Sequence, residues 1–400
     1  MRKKTYIVLF NYGGGMRGLI PAHLMAKIEE KTGLGMAEMV DVFAGPSTGA
    51  IINSALNIPS TRDPKKPKFG ARHMVRFYER EGAKIFPADS FREFRAFIHD
   101  FNNRTMKIGQ LQKLFRHGHY SPSHLQYCLK ELYGTTKISH TLKNLVIPVY
   151  NIDKPSLEVA QEIGETEDTP VRTHNNFRDS GGQALWLKNM NFERNREAPP
   201  DVALHDAVLA SCAAPTYFPC HHFSVKTGGG KETHHYTGID GSIFDNPCIS
   251  YYGAIRHHLP KDANVIMILF GTGYTLRSYT QKDWNKLGGL GVVDPVNDLP
   301  LINILFHAPE SALLDGFTQE LEDNIFSFNK SLLSTEIPSP YPSLGIDDAS
   351  PQNLEKMKNF AHSMIEDNEQ RFNQLCNLLV SNYEAGNEDK SSGFWSKILK

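Results

Sequence analysis

The segment YIVLFNYGGGMRGLIPAHLMAKI, residues 6–28, decides the fold class of this 400-residue chain. It opens with a short apolar run, which predicts a buried strand, and continues with three consecutive glycines. Apolar residues then return at the helical spacing of Ile20, Leu24 and Ile28, and Gly33 stands where a helix commonly ends. Strand, glycine loop and helix form the first half of a βαβ unit, which predicts an α/β fold with a parallel sheet.

A second glycine turn follows about thirty residues later. The apolar run MVDVFAG, residues 39–45, predicts the second strand, and TGAIINSAL, residues 48–56, predicts the next helix. The later run ANVIMILFGTG predicts another fully buried strand, and the pattern after about residue 287 is helical to the end. We find no composition break that marks a firm domain boundary, so one domain is expected.

Two chemistries compete for the first glycine loop. Gly13, Gly15 and Gly18 satisfy the G-x-G-x-x-G pattern of a dinucleotide-binding turn, which also follows a strand and opens a helix. That turn needs an acidic residue at the end of the second strand to hold a ribose. The second strand instead runs into the sequence AGPSTGA, so the pattern argues against a nucleotide cofactor, and we expect no cofactor.

The sequence GPSTG, residues 45–49, matches the G-x-S-x-G pattern of a nucleophile elbow. Such a turn presents its serine, here Ser47, above the edge of the sheet, and Gly45 and Gly49 let the backbone bend sharply. The N–H groups of Gly13, Gly14 and Gly15 then gain a chemical purpose, since converging amides stabilise the oxyanion of an acyl-transfer intermediate. We therefore interpret these residues as the parts of a serine hydrolase.

A nucleophilic serine needs a base, and two types of residue compete for that role. The late histidines lie in polar, helical-looking stretches typical of surface positions; they are His257, His258, His307 and His362. Asp240, in YTGIDGSIFDNP, follows an apolar-flanked strand and precedes a glycine that allows a tight turn. Partial burial would raise the pKa of such an aspartate toward a range useful for proton abstraction, so Asp240 is favoured.

Charge and cysteine content limit the other possibilities. Residues 61–142 form a basic segment that is expected to be mainly helical, and it could meet an anionic membrane surface or remain a solvated face. No nucleic-acid-binding signature accompanies that charge, so nucleic acid is not an expected partner. Five widely spaced cysteines favour a reducing compartment. The Cys220–Phe223 segment and the pair His234 and His235 suggest zinc, but adjacent strand residues face opposite ways, so no metal is expected.

Six segments together identify a family resemblance: GGGMRG, GPSTGA, FYEREGAKIFP, ASCAAPTYFP, IDGS and GIDDASPQNLEKM. Their order and spacing, from residue 6 to residue 357, resemble those of the patatin-like phospholipases. The resemblance implies a three-layer α/β/α fold with a mostly parallel central sheet and a helical C-terminal part. It implies an acyl hydrolase domain over residues 1–360, which includes the basic segment, followed by a C-terminal helix and tail over residues 361–400.

The resemblance also assigns roles to individual residues. Ser47 would be the nucleophile and Asp240 the base of a dyad without histidine; Gly13, Gly14 and Gly15 would form the oxyanion hole. Arg17 would meet a phosphate or fix the loop. Tyr12 and Pro46 stand where the family usually has aspartate and threonine, and Ser242 stands where it usually has glycine or alanine. Of these departures, only Tyr12 puts a property in doubt, which is the way the loop is anchored.

The implied substrate is a phospholipid or lysophospholipid, reached by transient contact with a membrane surface and cleaved without a metal. Some members of the family are switched on by a partner or a nucleotide, so a switched effector with low basal hydrolysis is the alternative function. The expected location is cytoplasmic or peripheral to a membrane, or outside the cell after export without a cleavable signal.

Overall fold

The structure is a computed structural model that describes residues 4–88, 120–153, 156–159, 182–190, 200–215, 217–275, 278–292 and 300–398. Nine strands are described: β1 Thr5–Asn11, β2 Val42–Ala44, β3 Asn144–Asn151, β4 Ser156–Val159, β5 Gln183–Lys188, β6 His221–Thr227, β7 Glu232–Asp240, β8 Asn264–Phe270 and β9 Ile325–Phe328. The described α-helices are α1 Leu19–Thr32, α2 Met36–Met39, α3 Thr48–Leu56, α4 Ala71–Ile85, α5 Ser123–Tyr133, α6 Leu204–Ser211, α7 Pro247–Ser250, α8 Gln281–Gly291, α9 Pro300–Leu321, α10 Pro351–Glu366 and α11 Glu369–Ile398.

The described strands form one sheet. Its spatial order is β4-β7-β3-β2-β1-β8-β9, with β5 paired to β3 and β6 paired to β7. The run β3-β2-β1-β8-β9 is entirely parallel, while β4, β5, β6 and β7 add antiparallel pairs on the β3 side. The prediction of an α/β fold with a mostly parallel central sheet is confirmed, with its antiparallel part confined to one side.

Both faces of the sheet are buried, which makes the fold three-layered. Along β1, Ile7 and Leu9 pack into one hydrophobic cluster and Val8 and Phe10 into another. Helices α1, α3, α4, α5, α6, α10 and the first half of α11 supply the first cluster, whereas α7 and α9 supply the second. This two-sided burial explains why the β1 sequence is a continuous apolar run rather than an alternating one.

The connections place a switch point at β1. From β1 the chain passes through helices on one face to β2 and β3, whereas β8 and β9 lie on the other side of β1 and are joined by helices that include α9 on the opposite face. In such sheets, ligands bind outside the carboxyl ends of the strands at the switch point. The loops after β1 and β2 begin at that edge.

The C-terminal part is helical except at β9 and at the irregular segment 329–350. The expectation of continuous helix after residue 287 is wrong at both; β9 pairs in parallel with β8 as the last strand of the described sheet. The strand is short, and its buried residues Phe326 and Phe328 alternate with exposed Ser327, a pattern too brief to distinguish from helix. The middle of the basic segment, residues 89–119, lies outside the described residues.

No helix in the described part of the chain is long and apolar enough to cross a bilayer.

Candidate active site

The glycine turn predicted as an elbow lies between β2 and α3, at the carboxyl end of β2. Ser47 lies between β2 and α3 with φ 54° and ψ −125°, a backbone conformation that is uncommon for a residue with a side chain. Strain of this kind is stored where a fold over-determines a functional residue. The N-terminus of α3 follows directly, so its positive dipole end is directed toward Ser47.

The two elbow glycines are required by a close approach of β1. A Cβ at either Gly45 or Gly49 would overlap the carbonyl oxygen of Asn11, the last residue of β1. Gly45 also has φ 141°, where a side chain is strained. The Asn11 side chain donates to Asn53 Oδ1 at 2.6 Å, and Asn53 donates to the Ala44 carbonyl at 2.8 Å. The elbow is thus fixed to the ends of β1 and β2.

A buried serine from α6 also holds the elbow. The backbone N–H of Ser47 donates to Ser211 Oγ at 3.0 Å, and the Ser211 hydroxyl donates to the carbonyl oxygen of Pro148 at 2.7 Å. Ser211 is fully buried. It therefore joins α6, β3 and the elbow through two buried hydrogen bonds.

Strand pairing brings Asp240 to the elbow. The first part of β3, Asn144–Val146, pairs with β2, and its last part pairs with β7, with Val149 opposite Asp240. β7 therefore ends beside β3 close to the level at which β2 ends. Asp240 turns sharply into Gly241, where a Cβ would overlap the Pro148 carbonyl oxygen, so the Asp-Gly pair is needed for this approach.

Ser47 and Asp240 lie together, both buried. Burial raises the pKa of Asp240 to about 6, and hydrogen bonds from the Ser242 backbone and from the Ser47 and Ser242 hydroxyls oppose that rise by favouring the carboxylate. The Ser242 N–H donates to Asp240 Oδ1 at 2.8 Å. At neutral pH the carboxylate is mostly ionised and lies beside the Ser47 side chain, which lowers its pKa; a carboxylate in that position can act as a general base.

In the glycine loop, backbone carbonyls are hydrogen-bonded, whereas the N–H groups of the three glycines have no acceptor among the described residues. Among the described residues, no group accepts a hydrogen bond from the N–H of Gly13, Gly14 or Gly15. In contrast, Thr272 Oγ1 donates to the Gly13 carbonyl at 2.7 Å, and the Arg17 N–H donates to the Gly14 carbonyl at 3.1 Å. The loop is fixed through its acceptors, which leaves the donors available.

Close contacts explain why this loop consists of glycine. A Cβ added at Gly13 would lie 3.3 Å from Ser47 Cβ and would overlap Ser242 Oγ, so Gly13 sits directly beside the serine. Gly15 has φ 56°, and a Cβ there would overlap the Ile346 carbonyl oxygen. That carbonyl accepts the Met16 N–H at 2.7 Å. The GIDDASP segment therefore closes over the far end of the loop.

Loop anchoring differs from the family's usual aspartate. The Tyr12 hydroxyl donates to Glu310 Oε1 of α9 at 2.6 Å, and Tyr12 packs edge-on against Phe10. Burial and the Glu310 charge raise the pKa of Tyr12 well above its ordinary value. A neutral phenol paired with a glutamate thus anchors the start of the loop from the opposite face of the sheet.

Arg17 follows the loop and is incompletely paired. Its buried Nε atom has no hydrogen-bond partner among the described residues. Burial lowers the pKa of Arg17 to about 10, while Tyr217 opposes the shift, so the guanidinium stays charged at neutral pH. Its backbone supports the loop, and its buried guanidinium keeps one N–H donor without an acceptor among the described residues.

A narrow apolar cavity opens beside Ser47. Its volume is about 40 Å³, which is space for roughly three water molecules. Helices α3, α4, α5 and the segment after α6 supply most of its apolar walls; these residues include Ile51, Phe77, Tyr78, Ile85, Phe86, Leu125 and Phe218. A larger cavity of about 440 Å³ between residues 332–344 and α10 contains none of the predicted site residues, so size alone does not locate the site.

The competing candidates take no part in this arrangement. Among the described residues, no histidine forms a hydrogen bond with the Ser47 side chain. Cys212 lines the cavity next to Ser47, but burial raises the pKa of its thiol well above the ordinary value, which makes it a poor nucleophile. Cys212 is therefore better described as a packing residue.

Sequence reasoning missed Ser211, Thr272 and Ile346. Ser211 lies within the ASCAAP segment that carried the resemblance, and Ile346 lies within GIDDASP. Both segments were recognised as motifs, but neither residue was assigned a role. Thr272 follows β8 in the run FGTG. A small polar residue at the carboxyl end of a strand next to β1 was the available signal.

The family comparisons agree with the motifs. A sequence-family profile described as Patatin-like phospholipase matches residues 12–251. Patatin-like protein 1 of Arabidopsis thaliana is 24% identical, with 97% of this chain and 88% of that protein covered. Patatin-like protein 2 of the same plant is 25% identical over 97% of this chain and 90% of its own length.

Among solved structures, that of VipD from Legionella pneumophila matches with 13% identity and a TM-score of 0.36, covering 91% of this chain and 67% of that one. The family profile extends from the residue before the first glycine loop to beyond Asp240 and covers more than half of the chain. The chain therefore belongs to the patatin-like phospholipase family, which implies lipid acyl hydrolase activity.

Proposed function

We propose that the protein is a serine hydrolase of phospholipase A or lysophospholipase type, which cleaves fatty acyl esters of glycerophospholipids through Ser47 and Asp240. The observation that carries the proposal is the meeting of three features at one sheet edge. These are a serine on a strained elbow, a buried aspartate beside it whose pKa the serine lowers, and a glycine loop whose amides have no described acceptor.

The mechanism follows from these positions. Asp240 takes the proton of the Ser47 hydroxyl as Ser47 Oγ attacks the ester carbonyl carbon. The N–H groups of Gly13, Gly14 and Gly15 stabilise the resulting oxyanion, an interaction for which each donor is typically worth about 3–4 kcal/mol. Collapse of the intermediate breaks the ester bond, and the leaving alcohol takes the proton from Asp240.

The second half reaction releases the fatty acid. Asp240, again ionised, removes a proton from a water molecule that attacks the acyl-enzyme carbonyl. The same amides hold the second oxyanion, and Ser47 Oγ leaves with the proton from Asp240. No step of this sequence requires a metal ion or a cofactor.

The surroundings of Ser47 suit a lipid. Aliphatic and aromatic side chains line the adjacent cavity, which matches an acyl chain. Arg17, with an unpartnered Nε among the described residues, suits a headgroup phosphate. Basic residues of the 61–142 segment provide attraction to an anionic membrane surface, so transient contact at the membrane is part of the proposal.

Fatty-acid release from phospholipid vesicles tests the function. Wild type should release fatty acid, whereas Ser47→Ala and Asp240→Asn should not. Ser54→Ala is a matched control, because Ser54 is a buried serine on α3, the helix that follows Ser47, and its hydroxyl has no partner among the described residues. Full activity of Ser47→Ala would reject the proposed nucleophile, and loss of activity in Ser54→Ala would show that the assay reports folding.

The small cavity favours a second candidate function, in which a partner switches the enzyme on. A volume of about 40 Å³ is well below the roughly 300 Å³ of an ordinary ligand pocket, so its walls must separate before an acyl chain enters. A partner or nucleotide could supply that opening in an effector with low basal hydrolysis. Purified protein that is inactive on vesicles until a cell lysate is added supports the switch, whereas full activity alone excludes it.

A further inference from the structure

Three side chains with metal-binding atoms meet between α4 and α5, outside the Ser47 cavity. Glu81 lies on α4, and His124 and Cys128 lie one turn apart on α5, so both α5 side chains project from the same face of that helix. Glu81 Oε2 is 2.9 Å from His124 Nε2, and Cys128 Sγ is 3.4 Å from His124 Nε2 and 3.8 Å from Glu81 Oε2.

These separations match those around a tetrahedral zinc ion. With Zn–S of about 2.3 Å and Zn–N and Zn–O of about 2.0–2.2 Å, tetrahedral angles place ligand atoms roughly 3.3–3.7 Å apart. Each observed separation is within about 0.5 Å of that range. A carboxylate oxygen, an imidazole nitrogen and a thiolate are also the three ligand types that zinc accepts.

We propose that Glu81, His124 and Cys128 form a zinc site, with a water molecule as the fourth ligand. This inference is independent of the proposed hydrolase function, since none of the three residues lines the Ser47 cavity. It also revises the expectation of no metal, because that expectation considered the histidines of β6 and β7. The ligand atoms of these three residues all lie within 4.8 Å of one another, which is close enough for them to share one ion.

The cluster can admit an ion without rearranging the core. Cys128 is buried, while the His124 and Glu81 side chains are 30% and 25% exposed, which leaves a path from solvent. Lys84 contacts Glu81 Oε2 at 3.1 Å and competes for it. The Lys84 side chain is 60% exposed, so it can swing into water when the ion arrives.

An ion at this site would affect the wall of the Ser47 cavity, because the same two helices supply part of that wall. Phe77, Tyr78 and Ile85 of α4 and Leu125 of α5 line the Ser47 cavity. A zinc ion held by one ligand from α4 and two from α5 would fix the spacing of the helices that form this wall. The site would therefore act as a clamp on the acyl pocket, without touching the reacting atoms.

Cobalt binding distinguishes this site from any other on the chain. Co²⁺ occupies zinc sites, and thiolate ligation gives a charge-transfer band in the near ultraviolet together with tetrahedral d–d bands. Chelator-stripped wild type should bind one Co²⁺ with that band, and Zn²⁺ should displace it. Cys128→Ser should lose the band, whereas Cys220→Ser should keep it. Cys220 is the matched control, because it is an exposed thiol followed by two histidines.

Zinc titration of a second variant covers the case in which Cys128→Ser loses the band only because it fails to fold. Glu81→Gln leaves the thiol and imidazole in place, and it should weaken Zn²⁺ binding by more than the roughly 10–100-fold cost of losing an outer-shell partner. Zn²⁺ should raise the Tm of wild type and leave the Tm of Glu81→Gln unchanged, with both proteins folded in chelator. A charge-transfer band that persists in Cys128→Ser, or equal Zn²⁺ affinity in Glu81→Gln, would overturn the proposal. Each readout is independent of hydrolysis.

Discussion

Replacing Asp240 with asparagine is expected to abolish lipid hydrolysis while making the folded protein more stable at neutral pH. Burial raises the pKa of Asp240 from 3.8 to about 6, so its ionised form is held at a cost in folding free energy. The shift of roughly two units corresponds to about 3 kcal/mol at pH 8, since each unit is worth about 1.4 kcal/mol. Asparagine preserves the shape and carries no charge, and it therefore removes this cost.

The raised pKa fixes the sign of the pH dependence. The stability that Asp240 contributes by holding its proton is fully present below pH 3.8 and is lost as the pH rises through about 6. Between pH 5 and pH 8, wild type should therefore lose about 1.5 kcal/mol of unfolding free energy relative to the Asp240→Asn variant. The change in this gap with pH is the quantity of interest, because it excludes effects of the amide on packing.

Urea unfolding at several pH values, with ester hydrolysis measured on the same preparations, checks both expectations. Asp245→Asn is the matched control. Burial also raises the pKa of Asp245, to about 7, but this carboxylate is held by Ser250 and Trp186 rather than by Ser47. In both variants the free energy of unfolding should change less between pH 5 and pH 8 than it does in wild type. Only Asp240→Asn should lose activity, by about 10²–10⁴-fold.

Two results would refute the reasoning about Asp240. An Asp240→Asn variant with wild-type hydrolysis would remove the residue from the mechanism. A stability gap between wild type and Asp240→Asn that stays the same from pH 5 to pH 8 would show that the carboxylate is not strained by burial. In wild type and in Asp245→Asn, kcat should rise with pH up to about 6 and then level off, as Asp240 loses its proton.

Three further substitutions test how the site is held. Thr272→Val removes the hydroxyl that fixes the first loop carbonyl, so kcat should fall about tenfold with KM unchanged, much as for a weakened oxyanion donor; a Thr272→Ser variant that fails to restore kcat would argue against this role. Gly45→Ala forces a Cβ into the Asn11 carbonyl at a positive φ, and urea unfolding should show a loss of about 2 kcal/mol or more; a loss too small to measure would mean that the elbow relaxes freely. Ser211→Ala leaves two buried backbone groups unpaired, which should cost about 1–3 kcal/mol of stability and lower kcat; unchanged stability and kcat would show that water replaces the hydroxyl.

The parts of the site that follow strands were predictable from short-range sequence. The glycine loop and the elbow each combine an apolar run, glycines and a helical pattern within about fifteen residues, and the physics of those turns is local. The choice of Asp240 needed more than its own neighbourhood, because an Asp-Gly pair is usually a simple turn. Its position among the other motifs provided that information.

The supporting contacts were not predictable, because they depend on how distant segments pack. Ser211 meets Ser47 across 164 positions, and Thr272 meets Gly13 across 259. The cluster of Glu81, His124 and Cys128 has no recognisable ligand spacing in the sequence, since its α4 and α5 members are 43 positions apart. Side-chain contacts of this kind require the coordinates of the folded chain.

Labelling with a fluorophosphonate tests the central claim most directly. Such a reagent phosphonylates a serine only when a base activates the hydroxyl and an oxyanion hole receives the phosphoryl oxygen. The prediction is a single adduct on the peptide that contains Ser47 in wild type, with slow or absent labelling in Asp240→Asn. An adduct on a different residue, or rapid labelling of Ser47 without Asp240, would contradict the assignment of the dyad.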